Sequence, residues 1–311
     1  MTETTEATRK IEARRRGNAL GFWFFKASLR CFGLRGAYGL LYLVCIHYVL
    51  FDRAAVRAAS AYVIRRFPAH GRWRRLLDVY SLFISQGRSL IDRFYVISGA
   101  GQIETRVEGL EGMREVMTPG QGVVLLTAHV GNWQTIMTFL GEFRRKVNLV
   151  MRPEDNPAVR ESLRISAADG GDIGIISPEG FLGGVVEAMN ALRRGEAVSF
   201  MGDRSYGFSP VVVRFLGDQA WFASGAFHVA AMAGAPVLVL LSARTGLRKY
   251  VVSTSVVRPQ YRPGTPKAEQ LQAWVQDFAS TVETFLAAHP DQCFLFYDIW
   301  TAPDELKARP N

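Results

Sequence analysis

The chain has 311 residues, is 49% hydrophobic and 21% charged, and carries a formal net charge of +9, which excludes a disordered tail, a collagen-like repeat and a disulfide-stapled miniprotein. Its length suits one large domain or two small ones. The charge is unevenly placed: residues 1–100 hold 17 Lys/Arg against 6 Asp/Glu, a net of +11, whereas residues 101–311 hold 20 against 22, a net of −2.

The N-terminal excess sits beside apolar sequence. Arg14, Arg15 and Arg16 lead into Gly17-Asn18-Ala19-Leu20-Gly21-Phe22-Trp23-Phe24-Phe25, and further arginines alternate with apolar runs. Base next to grease points to an anionic membrane surface. No recognition helix, zinc knuckle or stacking sheet supports a nucleic-acid partner. The longest uncharged run, Gly36 to Phe51, has 16 residues and as a helix covers ~24 Å, short of the ~30 Å hydrocarbon core. With Trp23, Phe24, Phe25, Tyr38, Tyr42 and Tyr48 suited to the interfacial zone, an inserted amphipathic anchor or helical hairpin is expected ahead of a single tilted span. No cleavage signature of a signal peptide follows the run. Cys31, Cys45 and Cys293 lack metal-ligand spacing and form an odd set, which points away from disulfides and towards a cytoplasmic face.

Residues 52–97 read as two helices. Asp52 can cap the first, Phe67-Pro68-Ala69-His70-Gly71 divides them, and Leu76, Leu77, Tyr80, Phe83, Ile84, Leu90, Ile91 and Phe94 recur near a 3.6 period. From residue 103 short apolar runs alternate with helical patterns. Strands are expected at 123–127, 147–151, 173–176, 197–201, 237–241 and 250–253, and helices at 132–143, 157–169, 181–194, 221–233 and 268–288. This alternation predicts an α/β sheet with several crossover units, its continuous apolar strands buried on both faces. The expected organisation is a basic, apolar helical membrane-anchoring region over 1–102, a catalytic domain over 103–300 and a polar tail over 301–311.

The most informative stretch is Gly122-Val123-Val124-Leu125-Leu126-Thr127-Ala128-His129-Val130-Gly131-Asn132-Trp133-Gln134. A buried strand delivers a histidine at its carboxyl end, where open α/β sheets place their ligands. The amides of a following helix would favour an oxyanion or phosphate there. A histidine that only caps the turn fits the same pattern. Ser177, Ser209 and Ser224 lack the Gly-x-Ser-x-Gly elbow of a serine hydrolase, and no phosphate loop, dinucleotide fingerprint or zinc motif is present. His228, on an apolar helical face, reads as a core residue.

Several blocks occur in order: the strand-His129-x-Gly131 turn, Met201-Gly202-Asp203-Arg204-Ser205-Tyr206-Gly207, Val211-Val212-Val213-Arg214-Phe215-Leu216-Gly217, Ser224-Gly225 to Ala233-Gly234-Ala235-Pro236-Val237, and Phe294-Leu295-Phe296-Tyr297-Asp298-Ile299-Trp300. Together they resemble the lipid A biosynthesis (lauroyl/myristoyl) acyltransferase branch of the lysophospholipid acyltransferase superfamily, closest to its glycolipid and aryl-polyene-associated members. The resemblance implies a glycerolphosphate-acyltransferase-like fold with a mixed, mostly parallel sheet flanked by helices behind a membrane-anchoring region. It further implies acyl transfer from acyl carrier protein or coenzyme A thioester to a hydroxyl or amine of a membrane lipid or glycolipid. No metal or resident cofactor is expected, and the location implied is the cytoplasmic face of a bacterial inner membrane.

In that reading His129 is the general base. The family carries Asp or Glu five positions later to orient the imidazole, and this chain has Gln134. A glutamine can hold a ring nitrogen but cannot stabilise imidazolium, and replacing the orienting carboxylate of a serine-protease triad by its amide costs ~10⁴ in rate. Three explanations stand: another carboxylate takes over, with Asp203 first and Glu142 second; the acceptor is an amine; or transfer has been lost. Asn132, Arg152 and Arg204 are the candidate substrate-binding residues, with helix capping, a helix-start turn and a structural ion pair as their plainer readings. The rival functions are transfer of an aminoacyl or other carrier-bound group, and a catalytically silent lipid-binding or assembly protein.

Overall fold

The computed structural model describes residues 19–132, 145–151, 173–179, 181–204 and 210–302. The described residues begin with three helices. Helix α1 (Ala19–Phe51) is broken at Gly33, whose φ of 64° lies outside the helical range. Helix α2 (Arg53–Arg66) begins at Asp52, whose carboxylate accepts the Ala55 N–H at 2.9 Å, the N-cap its position predicts. Helix α3 (Arg72–Ile97) follows the Phe67–Gly71 break.

Helix α1 is apolar on more than one side. Leu34, Ala37, Tyr38, Leu41 and Cys45 are buried, while Phe32, Leu43, Ile46, Leu50 and Phe51 stay exposed. The buried side packs on α3, where Gly87 admits it: a Cβ there would lie 2.3 Å from Leu41 Cδ1. Among the described residues one stretch, Ala27–Phe51, is long and apolar enough to cross a membrane. On α3 the predicted apolar stripe divides. Phe83, Ile84 and Ile91 enter the core, joined by Leu82 from outside that stripe, whereas Leu76, Leu77 and Leu90 remain exposed alongside Trp73.

The rest of the chain runs through β1 (Glu104–Glu108), α4 (Leu110–Val116), β2 (Val123–Thr127), β3 (Val147–Val150), β4 (Ile173–Ile176), α5 (Val185–Arg193) and β5 (Ala197–Met201). It continues through β6 (Pro210–Phe215), β7 (Asp218–Ala223), α6 (Gly225–Ala233), β8 (Val237–Gly246), β9 (Lys249–Val257) and α7 (Lys267–Ala288). Among the described residues seven strands form one sheet in the order β1-β9-β8-β2-β5-β3-β4, with β8 and β9 the only antiparallel neighbours in it, and β6 and β7 pair separately. The α/β sheet expected from the alternation is therefore present, mixed and mostly parallel as the family resemblance implies.

All five residues of β2 are buried. Val124 and Leu126 join one apolar cluster with Phe278 of α7, and Val123 and Leu125 join another with Met113 and Val116 of α4. That alternation places apolar layers on both faces of the sheet. The first cluster also holds Ala37, Tyr62, Leu82 and Ile91, so α1, α2 and α3 share a core with the sheet.

Several elements depart from the sequence reading: helix α4 (Leu110–Val116) was not expected, and the helix expected over 181–194 begins only at Val185, after a single 3-10 turn over Phe181–Gly184. The helix expected over 221–233 begins only at Gly225, because residues up to Ala223 form β7. Strands β6 and β7 are joined by Leu216 and Gly217, with φ of 53° and 87°, the positive pair of a two-residue type I′ hairpin. A two-residue reversal makes strand pairing local, and it overrides the helical spacing of the apolar residues. Edge strand β1 is half exposed along its length, so it lacks the apolar run used to recognise the others. The helices expected at 132–143 and 157–169 lie outside the described residues, as do the basic residues before Ala19 and the tail beyond 302.

Candidate active site

The His129 site is built by strand register. Strands β2 and β5 are parallel neighbours, with Val123 opposite Ala197 and Thr127 opposite Met201. Carrying that register two residues past the strand ends sets His129 opposite Asp203. The Gly202 N–H donates to the Thr127 carbonyl at 2.8 Å, which extends the ladder one step beyond β2. Gly202 must be small, since a Cβ would lie 2.4 Å from Phe278 Cε1 and 2.9 Å from Leu126 Cδ1.

Asp203 then meets His129 twice. Its Oδ1 is 2.9 Å from His129 Nδ1, and its Oδ2 accepts the His129 peptide N–H at 2.5 Å. The carboxylate is 1% exposed and the imidazole side chain 21%. Burial by itself would raise the Asp203 pKa. The facing His129 charge, the two hydrogen bonds from His129 and the neighbouring Arg204 outweigh it and hold the group below the ordinary carboxylate range. With Asp203 ionised, the ring nitrogen facing it, Nδ1, is the hydrogen-bond donor, which leaves Nε2 as the other ring nitrogen.

The turn carrying His129 is pinned from the other side by the chain after α7. Phe294 N–H donates to the His129 carbonyl at 2.7 Å, Gly131 N–H donates to the Gln292 carbonyl at 2.8 Å, and Val130 bridges Cys293. Gly131 has φ of 55°, and a Cβ on it would lie 1.6 Å from the Ser242 carbonyl oxygen. Gly131→Ala is accordingly expected to destabilise the chain by at least ~3 kcal/mol, a loss reserved for strained or overpacked positions. Thermal unfolding of the purified variant checks this, and a wild-type Tm would contradict the close approach.

Asn132 faces inward. It is 4% exposed, its Nδ2 donates to the Ser89 carbonyl of α3 at 3.2 Å, and its peptide N–H donates to Ser242 Oγ of β8 at 3.0 Å. These bonds engage the amide offered as an oxyanion or substrate contact and make the residue a bridge between α3 and β8. The Arg204 guanidinium lies 5.7 Å from the Tyr297 ring centroid. Gln134, Glu142 and Arg152 lie outside the described residues. His228 is partly buried, with Nδ1 3.0 Å from the Tyr261 hydroxyl. Cys293 is buried, which pushes its thiol pKa up. Among the described residues no group of three or more His, Cys, Asp or Glu is placed to hold a metal ion.

The contribution of Gln292 and Phe294 was missed in the sequence. Their contacts with the His129 turn are made largely by backbone atoms, so side-chain type carries no signal for them. Ser242 was missed for a different reason: it lies one residue beyond the apolar run 237–241, and the strand continues through it to Gly246.

No curated protein matches the chain. Among solved structures, the crystal structure of the 1-acyl-sn-glycerophosphate (LPA) acyltransferase PlsC from Thermotoga maritima is similar with a TM-score of 0.41 and 15% identity, over 81% of this chain and 98% of that one. The family model for bacterial lipid A biosynthesis acyltransferases matches residues 88–301. Since that match runs from α3 to beyond α7 and takes in both His129 and Asp203, the chain belongs to the bacterial lipid A biosynthesis acyltransferase family and is an acyltransferase of lipid biosynthesis.

Proposed function

We propose that the protein moves an acyl group from an acyl carrier protein or coenzyme A thioester to a hydroxyl or amine of a membrane lipid or glycolipid, with His129 as general base and Asp203 orienting it. The observation that carries this reading is the buried Asp203 carboxylate on His129 Nδ1. Its effect is to direct Nε2 at the acceptor proton. As the acceptor oxygen or nitrogen bonds to the thioester carbonyl carbon, Nε2 takes that proton and Asp203 stabilises the imidazolium. Collapse of the tetrahedral intermediate breaks the carbon–sulfur bond. The departing thiolate recovers the proton from Nε2 and leaves as a free thiol, so no net proton is gained or lost.

The site is proposed to work at the cytoplasmic face of a bacterial inner membrane. Exposed Leu43, Ile46 and Leu50 on α1 and Trp73, Leu76 and Leu77 on α3 support burial in a lipid interface. Exposed Arg35 on α1, Arg53 and Arg57 on α2, and Arg72 and Arg74 on α3 supply charge for anionic headgroups. The same basic half would steer an acidic acyl carrier protein towards the enzyme.

The test supplies the purified full chain with acyl carrier protein and coenzyme A thioesters and bacterial membrane lipid extract. Free thiol and acylated lipid are then measured together. The expected result is thiol release matched by a newly acylated lipid. Release without acylated lipid would identify a thioesterase instead, and the absence of both would support the silent lipid-binding rival.

A further inference from the structure

A second buried carboxylate lies behind the His129 turn and takes no part in the chemistry above. Asp92 of α3 is 0% exposed. The Tyr38 hydroxyl of α1 donates to its Oδ1, and the Tyr250 hydroxyl of β9 donates to its Oδ2 at 2.7 Å. Arg244 Nε of β8 is 3.4 Å from the same oxygen, and the Arg244 guanidinium lies 5.1 Å from the Tyr38 ring centroid. One carboxylate thus joins the apolar helix α1, helix α3 and both strands of the β8–β9 hairpin. Desolvation raises its pKa against the opposing effects of the two tyrosine hydroxyls and Arg244, as burial of a charge requires. Removing one partner of such a group leaves the others uncompensated in a low-dielectric interior.

The elements joined by Asp92 are also those that hold the His129 turn. Asn132, three residues after His129, bonds the Ser89 carbonyl, three residues before Asp92 on α3, and Ser242, two residues before Arg244 on β8. Gln292 clamps the Arg244 backbone, accepting its N–H at 2.7 Å and donating to its carbonyl at 2.9 Å. The Gln292 carbonyl in turn accepts the Gly131 N–H. Two routes therefore run from the Asp92 cluster to the turn, one through Asn132 and one through Gln292.

We propose that Asp92 is a positioning residue for acyl transfer: by seating α1, α3 and the β8–β9 hairpin on one buried carboxylate, it fixes the support on which the His129 turn rests. The proposal rests on His129 being the base, and it makes α1 part of the catalytic scaffold as well as an apolar surface. A small displacement of the turn would misdirect Nε2 without altering where substrates bind. Loss of Asp92 should therefore appear in kcat and not in KM.

The test compares wild type, Asp92→Asn, Tyr38→Phe and Glu115→Gln in the full chain. Glu115→Gln is the control, because it breaks only the exposed Arg258–Glu115 pair. Long-chain acyl-coenzyme A with membrane lipid extract serves as the activity probe. Asp92→Asn is expected to lower kcat by at least ~10-fold with KM within ~2-fold, and Tyr38→Phe to lower kcat by about 3-fold, as an interaction realised in the transition state predicts. A second readout is the ¹⁵N-histidine NMR spectrum, with the His129 signals assigned by their loss in His129→Ala. Asp92→Asn should move the His129 signals while Glu115→Gln leaves them in place. Should Asp92→Asn fail to fold, Tyr38→Phe carries both measurements, since it deletes a single hydroxyl. Wild-type kcat with unmoved His129 signals in the variant that folds would overturn the proposal, as would a kcat loss with unmoved signals. If His129→Ala turns over like wild type, the reading of His129 as base fails, whereas the NMR shift still decides whether Asp92 positions the ring.

Discussion

Asp203→Asn is expected to lower kcat by ~10³, within the ~10²–10⁴ that general acid–base catalysis contributes and near the cost of the same change in a serine-protease triad. The two contacts explain why. Oδ1 takes the His129 Nδ1 and Oδ2 takes the His129 peptide N–H, so ionised Asp203 accepts two hydrogen bonds from one residue. An asparagine has one oxygen and one amide nitrogen, and the nitrogen would confront a donor. Either the peptide N–H loses its acceptor or the imidazole reverses its tautomer and places the proton on Nε2, where the base must be vacant. The assay is thiol release at saturating substrate, and a kcat within about threefold of wild type, under ~1 kcal/mol of barrier, would refute the role.

The same substitution carries a stability signature. The folded pKa of Asp203 lies below the ordinary carboxylate value, which is ~3.9 in an unfolded chain. Its stabilisation is thus complete above that value and disappears as pH falls through the lower folded value. In the wild type this part of the stability should be lost only in strong acid, and the Asn variant should lack that dependence at every pH. Thermal unfolding of both proteins from pH 7 into the acid range measures the difference.

His129→Ala is the second large effect. It removes the proposed base, and activity should fall by ~10³–10⁴, to the rate of uncatalysed aminolysis or alcoholysis on the surface that still binds both substrates. The more diagnostic measurement is the double variant. Because Asp203 acts on the reaction through His129, adding Asp203→Asn to His129→Ala should cost little further, a strongly non-additive pair. A double variant slower by the product of both single losses would mean that Asp203 touches the substrate independently. Because the alanine leaves the Asp203 carboxylate, 1% exposed, without its ring partner, the variant should be less stable than wild type, and thermal unfolding measured beside the assay separates loss of the imidazole from loss of fold.

These two predictions also bear on Gln134. A neutral amide at the family's carboxylate position was the strongest reason in the sequence to doubt catalysis. In the fold a carboxylate stands at Nδ1 regardless, contributed by β5. Under the proposed function Asp203 takes the orienting role that the family gives to the carboxylate of the His-x4-Asp/Glu slot.

Much of the architecture was legible in the sequence because it rests on local chemistry. Buried strands such as Val123–Thr127 announce themselves as continuous β-branched and aliphatic runs, Asp52 as a cap, and Phe67-Pro68-Ala69-His70-Gly71 as a break between helices. The strands that escaped notice were the half-exposed β1 and the β6–β7 hairpin, where a two-residue positive-φ turn at Leu216-Gly217 decides the pairing. Asn132 shows the opposite limit. Its position after the histidine suggested a ligand, and only its neighbours 43 and 110 residues away, Ser89 and Ser242, reveal a bridge.

By itself the sequence determined that a strand would end in His129, that another would end near Asp203, and that the basic charge would gather with the apolar N-terminal helices. Each of these is carried by neighbouring residues within one element. Which strand lies beside β2, and in what register, depends on non-local packing of the whole sheet. Only the tertiary structure set β5 there, 74 residues on, and so brought Asp203 against His129. The reason is physical: periodicity and propensity act over a few residues, whereas a parallel pairing is chosen by the burial of both faces of a sheet assembled from the whole chain.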